Sequence, residues 1–209
     1  MTLKDLLQNE SQSIESSPLL GICTTSEMYE IFHGAHVYQT LVERFEDGAQ
    51  DVDRTILCDT RNLVQWHIMS LLPASQLGPV LLEFCPVYET CRLALMIFGV
   101  GIIFPLPTDV APMSRLARLM QLELQMLQLD VAPENEWFIQ AQCWCLVLGG
   151  IAAASSERAW FVQELRNISF LLGVSTYSYL KMILLNFLWW EKSCDWACRQ
   201  LWDEVTLAC

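Results

Sequence analysis

The chain has 209 residues, 53% of them hydrophobic, with 24 acidic against 12 basic side chains and a net charge of −12. A length of this order supports one domain with a sizeable core, and a mean hydropathy of +0.31 argues against extensive disorder. The acidic surplus removes the phosphate-neutralising surface that nucleic-acid binding requires, so direct DNA binding by this protein is not expected.

Residues 1–20 are polar and Ser-rich and read as a mobile tail, leaving residues 21–209 for the domain. They hold no long apolar region with a small-residue cleavage site, so no secretory signal is expected and the protein is placed inside the cell. Nine cysteines then read as reduced thiols, and Asn167-Ile168-Ser169 as a chance glycosylation sequon.

Thr24 followed by Glu27 fits a capping box. Met28, Ile31, Phe32, Ala35, Tyr38, Leu41, Val42 and Phe45 follow at helical spacing until Asp47-Gly48. A second helix is expected from about Asp51 to Leu72, with a break near Asp59, apolar marks at Leu63, Val64, Trp66, His67 and Leu71, and a stop at Pro73. The stretch from Pro86 to the Pro105/Pro107 pair is apolar nearly all round and reads as a central helix. Its uncharged run, Leu93 to Leu106, spans 14 residues, short of the roughly 20 that a membrane-spanning helix needs.

Residues 112–128 form another helix by Leu spacing, and the acidic "ENEWFIQAQCWCLVLGG" segment begins one more after Pro133. Gly149-Gly150 suits a close approach of two helices, with Ser155 capping the next. That next helix sets Trp160, Phe161, Leu165, Ile168 and Leu172 on one side and ends at Gly173. "STYSYLKMILLNFLWW" and "SCDWACRQLWDEV" supply the last two, the latter presenting Trp196 and Leu201 or Trp202 to the core. No window alternates with period two, so the fold class is all-α, a single multi-helix domain without internal repeats.

Chemistry-bearing motifs are sparse. Gly149-Gly150 lacks the Lys and hydroxyl of a phosphate loop, and Gly99-Val100-Gly101 lacks the third glycine and preceding strand of a dinucleotide site. His33 and His36, with Glu30, share a helical face and would suit a metal; two partly exposed helix histidines is the preferred reading. Cys143/Cys145 and Cys194/Cys198 read as small core residues rather than zinc ligands, and His67 as a satisfied, half-buried side chain. Glu43, Glu46, Asp47, Asp51 and Asp53 read as a solvated acidic turn. No catalytic, cofactor-binding or metal residue is assigned, and no cofactor is expected.

Three segments in order, "CRLALMIFGVGIIFPLP", "CWCLVLGGIAAASSERAWFVQEL" and "LLNFLWWEKSCDWACRQLWDEV", resemble the C-terminal regulatory region of fungal zinc-cluster transcription factors. Glu89, Cys91, Arg92, Leu93, Phe104, Pro105, Leu106 and Pro107 match the first motif. Trp144, Gly149, Gly150, Ile151, Ala152, Arg158, Trp160 and Phe161 match the second, and Phe187, Leu188, Trp189, Cys194, Asp195 and Trp202 the third. The likeness covers about residues 80–209. It implies an all-helical regulatory domain of a nuclear transcription regulator, often one controlling a specialised metabolic pathway, with room for a small-molecule effector. Such proteins read DNA through an N-terminal six-cysteine zinc cluster beside a basic stretch; here no Cys-x2-Cys spacing occurs, and residues 1–20 hold one Lys and no Arg. The expectation is a non-enzymatic regulator acting through a protein partner, such as a DNA-binding transcription factor, by way of the acidic turn and any uncovered apolar helix face. The alternative is a small-molecule binding protein or enzyme whose Trp- and Met-lined pocket uses Trp66, Trp144 and Trp160.

Overall fold

The computed structural model describes residues 25–78, 87–107, 111–130 and 136–207, so the expected tail, Thr24 and Pro86 lie outside the described residues. The fold is all-α. Its helices are α1 (Ser26–Glu46), α2 (Arg54–Ser70), α3 (Tyr88–Phe98), α4 (Met113–Asp130), α5 (Glu136–Ala152), α6 (Ser155–Leu171), α7 (Tyr177–Leu184) and α8 (Glu191–Leu207), with a 3-10 turn at Ala74–Gln76. No strand occurs among the described residues.

Capping explains where the first helices begin. The Thr25 hydroxyl accepts from the Met28 backbone N–H at 3.1 Å, so α1 starts one residue later than a Thr24 cap would place it. Glu27 then sits in the first turn as a charge against the helix dipole and not as the reciprocal half of a capping box. Met28, Ile31, Phe32, Ala35 and Val37 are buried, while Tyr38, Leu41, Val42 and Phe45 emerge to partial exposure along the last two turns. Gly48, at φ +83°, makes the turn that follows. The Asp53 carboxylate accepts from Ile56 N–H at 2.8 Å to start α2, which runs through Asp59 without the expected break.

Helix α3 is deeply buried, as its composition requires, and continues as a π-helical turn over Gly99–Ile103. There Phe104 N–H reaches back to Gly99 O at 2.8 Å, a wider ring than the α-helical one, before Pro105 and Pro107 end the element. A side chain at Gly99 would meet Gln65 Oε1 at 2.8 Å and Ile68 at 3.3 Å, so α2 lies directly against this turn.

The helix that most others touch is α5, packed by α3, α4, α6, α7 and α8. From Gln140 onward almost every position is buried, including Trp144, Cys143 and Cys145. The surroundings of its glycine pair explain why both residues lack a side chain. A Cβ at Gly149 would run into the Phe161 ring, 2.7 Å from Cζ, and into Met120 Sδ at 2.9 Å; one at Gly150 would meet Leu201 at 2.8 Å. The pair is the seam where α4, α6 and α8 reach the α5 backbone. Helix α6 follows after two residues, with Ala154 and not Ser155 at the cap position, so no side-chain oxygen caps its start. Gly173, at φ +66°, closes it.

The last third departs furthest from the periodicity. Helix α7 ends at Leu184, and Phe187, Leu188 and Trp189 are buried in the irregular link that follows. Phe187 stacks on Trp144 at 5.6 Å, and the Trp144 indole N–H donates to Leu188 O at 2.9 Å. In α8 the buried residues are Cys194, Cys198, Leu201, Trp202 and Val205, a stripe at three- and four-residue spacing that Trp202 widens. Trp196 falls two residues off that stripe, on the far side, and is 73% exposed instead of core-facing.

Alanine at Gly149 should overpack the seam at a loss of about 1–3 kcal/mol, lowering the melting temperature by about 3–9 °C for a protein this size. Gly78, which has nothing within 4 Å of a Cβ, should tolerate alanine within about 0.5 kcal/mol. Paired thermal melts by circular dichroism check both.

Candidate functional site

The residues carrying the resemblance form three structural junctions. Glu89 in the first turn of α3 accepts from Arg92 Nε and NH2 at 2.9 and 2.6 Å and from the Ala74 backbone N–H at 2.8 Å. This ties the link after α2 to α3, with both charged side chains largely shielded. Arg158 forks onto Glu204 of α8, at 2.7 Å for its closest contact, while its NH1 donates to Gly150 O at 2.8 Å. At the α7–α8 corner Asp195 accepts from Trp189 Nε1 at 2.9 Å and from Lys181 Nζ at 2.8 Å. Burial pushes the Asp195 carboxyl up, but the bonds from Lys181 and Trp189 outweigh it and hold the group below its ordinary value.

The candidate metal residues do not form a centre. His33 is buried, not partly exposed, and its ring stacks on Tyr29 at 6.4 Å. Burial, with His33 nearby, lowers the pKa of His36. Among the described residues no three His, Cys, Asp or Glu side chains are placed to hold a metal ion. The paired cysteines are core residues. Cys91 of α3 and Cys145 of α5 share a thiol hydrogen bond that, with burial, pushes the Cys91 thiol well up. Burial raises Cys194 to about 11 and Cys198 to about 12, and Cys143 higher still. Cys91, Cys143, Cys194 and Cys198 thus stay protonated near neutrality, the opposite of an activated nucleophile.

The three tryptophans expected as pocket walls are not brought together. Trp144 is fully buried, Trp160 half-buried edge-on to Phe161, and Trp66 62% exposed on the outer side of α2. A cavity of about 360 Å³ lies between the start of α1, the end of α2 and the start of α3, lined by Thr25, Glu27, Ile31, His67, Ser70, Leu71, Leu72, Leu77 and Tyr88. His67, edge-on to the Trp66 ring at 4.8 Å, is half-buried at its wall. The Tyr88 hydroxyl is engaged, donating to Leu72 O at 2.8 Å.

The acidic turn is exposed at Glu43, Glu46, Asp47, Asp51 and Asp53, yet much of it is engaged. Arg44 pairs with Asp51, Lys192 of α8 with Glu46, and Gln39 donates to Glu43. The uncovered apolar surface lies elsewhere. On α4, Leu119, Leu122 and Met126 are 42, 52 and 62% exposed, opposite the buried Leu116, Met120, Leu124 and Leu127. Tyr179 and Met182 of α7, with Leu185 just past its end, give a second outward row, and Trp66 and Met69 a third on α2. No helix among the described residues is long and apolar enough to cross a membrane. Comparison with protein-family models, curated proteins and solved structures gives no match to this protein.

Because the Asp195 carboxyl is held low in the fold, the native protein binds that proton less readily than the unfolded one, whose value is about 3.9. Its stabilisation is complete above that value and fades as the pH falls through the lower native one. Asp195→Asn should cost about 1–2 kcal/mol at pH 7, about 3–6 °C in melting temperature. The gap between the two proteins should narrow below about pH 4. Thermal melts across a pH series measure it.

Proposed function

We propose that this protein is a non-enzymatic regulatory module of the fungal zinc-cluster type, acting on transcription through its helical domain and a protein partner, such as a DNA-binding factor. The observation that carries this reading is the double-sided character of α4. Its inner stripe is core, while Leu119, Leu122 and Met126 recur at helical spacing on the outer side. Exposed apolar rows on an otherwise strongly acidic surface mark interaction sites, and the i, i+3, i+7 spacing is the kind a partner helix packs against. The resemblance adds the nucleus as the place of action and a specialised metabolic pathway as the target. The net charge of −12 supports a division of labour in which the partner, and not this protein, holds the DNA phosphates.

Two measurements test this. The purified protein should fail to retain duplex DNA at physiological salt; tight, sequence-specific retention would sink the proposal. Tethered to an unrelated DNA-binding domain, it should change reporter transcription. Leu122→Lys with Met126→Lys should abolish that change while leaving the melting temperature within about 2 °C, as surface substitutions do. A tethered protein with no effect, or one indifferent to the double substitution, would count against a regulatory surface on α4.

A further inference from the structure

The cavity of about 360 Å³ between the start of α1, the end of α2 and the start of α3 falls within the range of small-molecule sites, about 300–1,000 Å³. Its walls carry four apolar side chains. Ile31 of α1 and Leu71 at the end of α2 are buried beside it, and Leu77 is half-buried. Leu72 and Glu27 are exposed, which opens the space to solvent.

The polar side chains around this space fall into two sets. Three hydroxyls are committed to the fold: Tyr88 donates to Leu72 O at 2.8 Å, Ser70 donates to Trp66 O at 2.7 Å, and Thr25 accepts from Met28 N–H at 3.1 Å to cap α1. The Glu27 carboxylate and the His67 imidazole make no hydrogen bond or ion pair with another described residue. No Lys or Arg among the described residues lines the cavity. Glu27 in the first turn of α1 answers the helix dipole, which leaves its oxygens able to accept. Glu89 in the first turn of α3 is the contrasting case, since Arg92 meets its carboxylate. Glu27 thus places a negative charge at an apolar space with no cation of the described residues against it.

A carboxylate takes an ammonium group in a charge-assisted hydrogen bond, and apolar walls favour a ligand that brings carbon out of water. We propose that this cavity binds a small primary amine with an apolar body. The ammonium donates to Glu27, a second N–H donates to His67, and the carbon framework lies against Ile31, Leu71, Leu72 and Leu77. The net charge of −12 enriches cations over anions around the protein, so an amine is favoured over an acid of the same shape. The apolar walls in turn favour it over a bare inorganic cation.

Phenethylamine and hexylamine are suitable probes, read by the His67 imidazole and the Glu27 and Ile31 amide signals of the ¹⁵N-labelled full-length protein, with His67→Gln assigning the imidazole. An amine should move these signals saturably and leave the amides of Glu46 and Asp47, in the exposed acidic turn, in place. Phenethyl alcohol, which has the ring without the charge, and methylamine, which has the charge with little carbon, should each bind at least about tenfold more weakly. Glu27→Gln should weaken amine binding about tenfold, the loss of one charged hydrogen bond. Equal binding of phenethyl alcohol or methylamine would overturn the proposal. So would amine binding undiminished in Glu27→Gln, signals that stay still with both amines, or equal shifts at Glu46 and Asp47, which mark a general attraction to acidic surface. Should Glu27→Gln fail to fold, the alcohol and methylamine comparisons on the native protein still decide.

Discussion

Gly149 and Gly150 bring the backbone of α5 within touching distance of Phe161, Met120 and Leu201, and that proximity sets the spacing of four helices at once. With no Cβ on two successive residues, neighbours approach from two directions at the same level of the helix. Trp144, one and a half turns earlier, then fills the wider space with Phe32 and Phe187 against its ring. Narrow at the glycines and broad at the tryptophan, α5 tapers along its length. The buried thiols of Cys91, Cys143, Cys145 and Cys198 fill the gaps between these extremes as small apolar groups.

An enclosed helix has a carbonyl end that water cannot easily reach, and such groups must be met by donors. Helix α6 provides them. Arg158 donates to Gly150 O, and Arg166 donates through Nε and NH2 to Val205 O near the end of α8. Each guanidinium thereby caps the carbonyl end of a neighbouring helix. The consequence for function is direct, because part of an already small basic complement is absorbed by the architecture. Arg44, Arg92, Arg158, Lys181 and Lys192, five of the twelve basic residues, are matched to carboxylates of the same protein, which reduces the positive charge left to present to a polyanion.

Much of the fold is legible in the amino-acid sequence, and the departures have physical causes. Helix count, the buried character of α3, the glycine seam and the terminator at Gly173 follow from apolar spacing and from residues with special backbone freedom. Thr24 and Thr25 are chemically equivalent caps, so spacing alone puts the start of α1 one residue early. Trp196 and Trp66 face outward against expectation because an aromatic residue weighs heavily in any apolar count, while its helical phase decides its side. The site is far less legible. The cavity draws on residues as distant as Thr25 and Tyr88, which no local spacing brings together. The double-sided α4 is partly visible, since its leucines are too many for one stripe.

The position of α5 along the polypeptide shapes how the protein is made. It begins at residue 136, after four helices have already been synthesised. The α1–α2 and α3–α4 pairs are sequence neighbours and can meet early, but their inner faces, Phe32 of α1 and Cys91 and Met120 of the second pair among them, find their lasting partners on α5 or on α6 beyond it. On the ribosome the first half must therefore wait as two loosely joined hairpins with apolar sides uncovered, exposed to holdase chaperones until the central helix emerges. Folding is long-range in character despite an all-helical fold, and it proceeds more slowly than local helix pairing alone would allow.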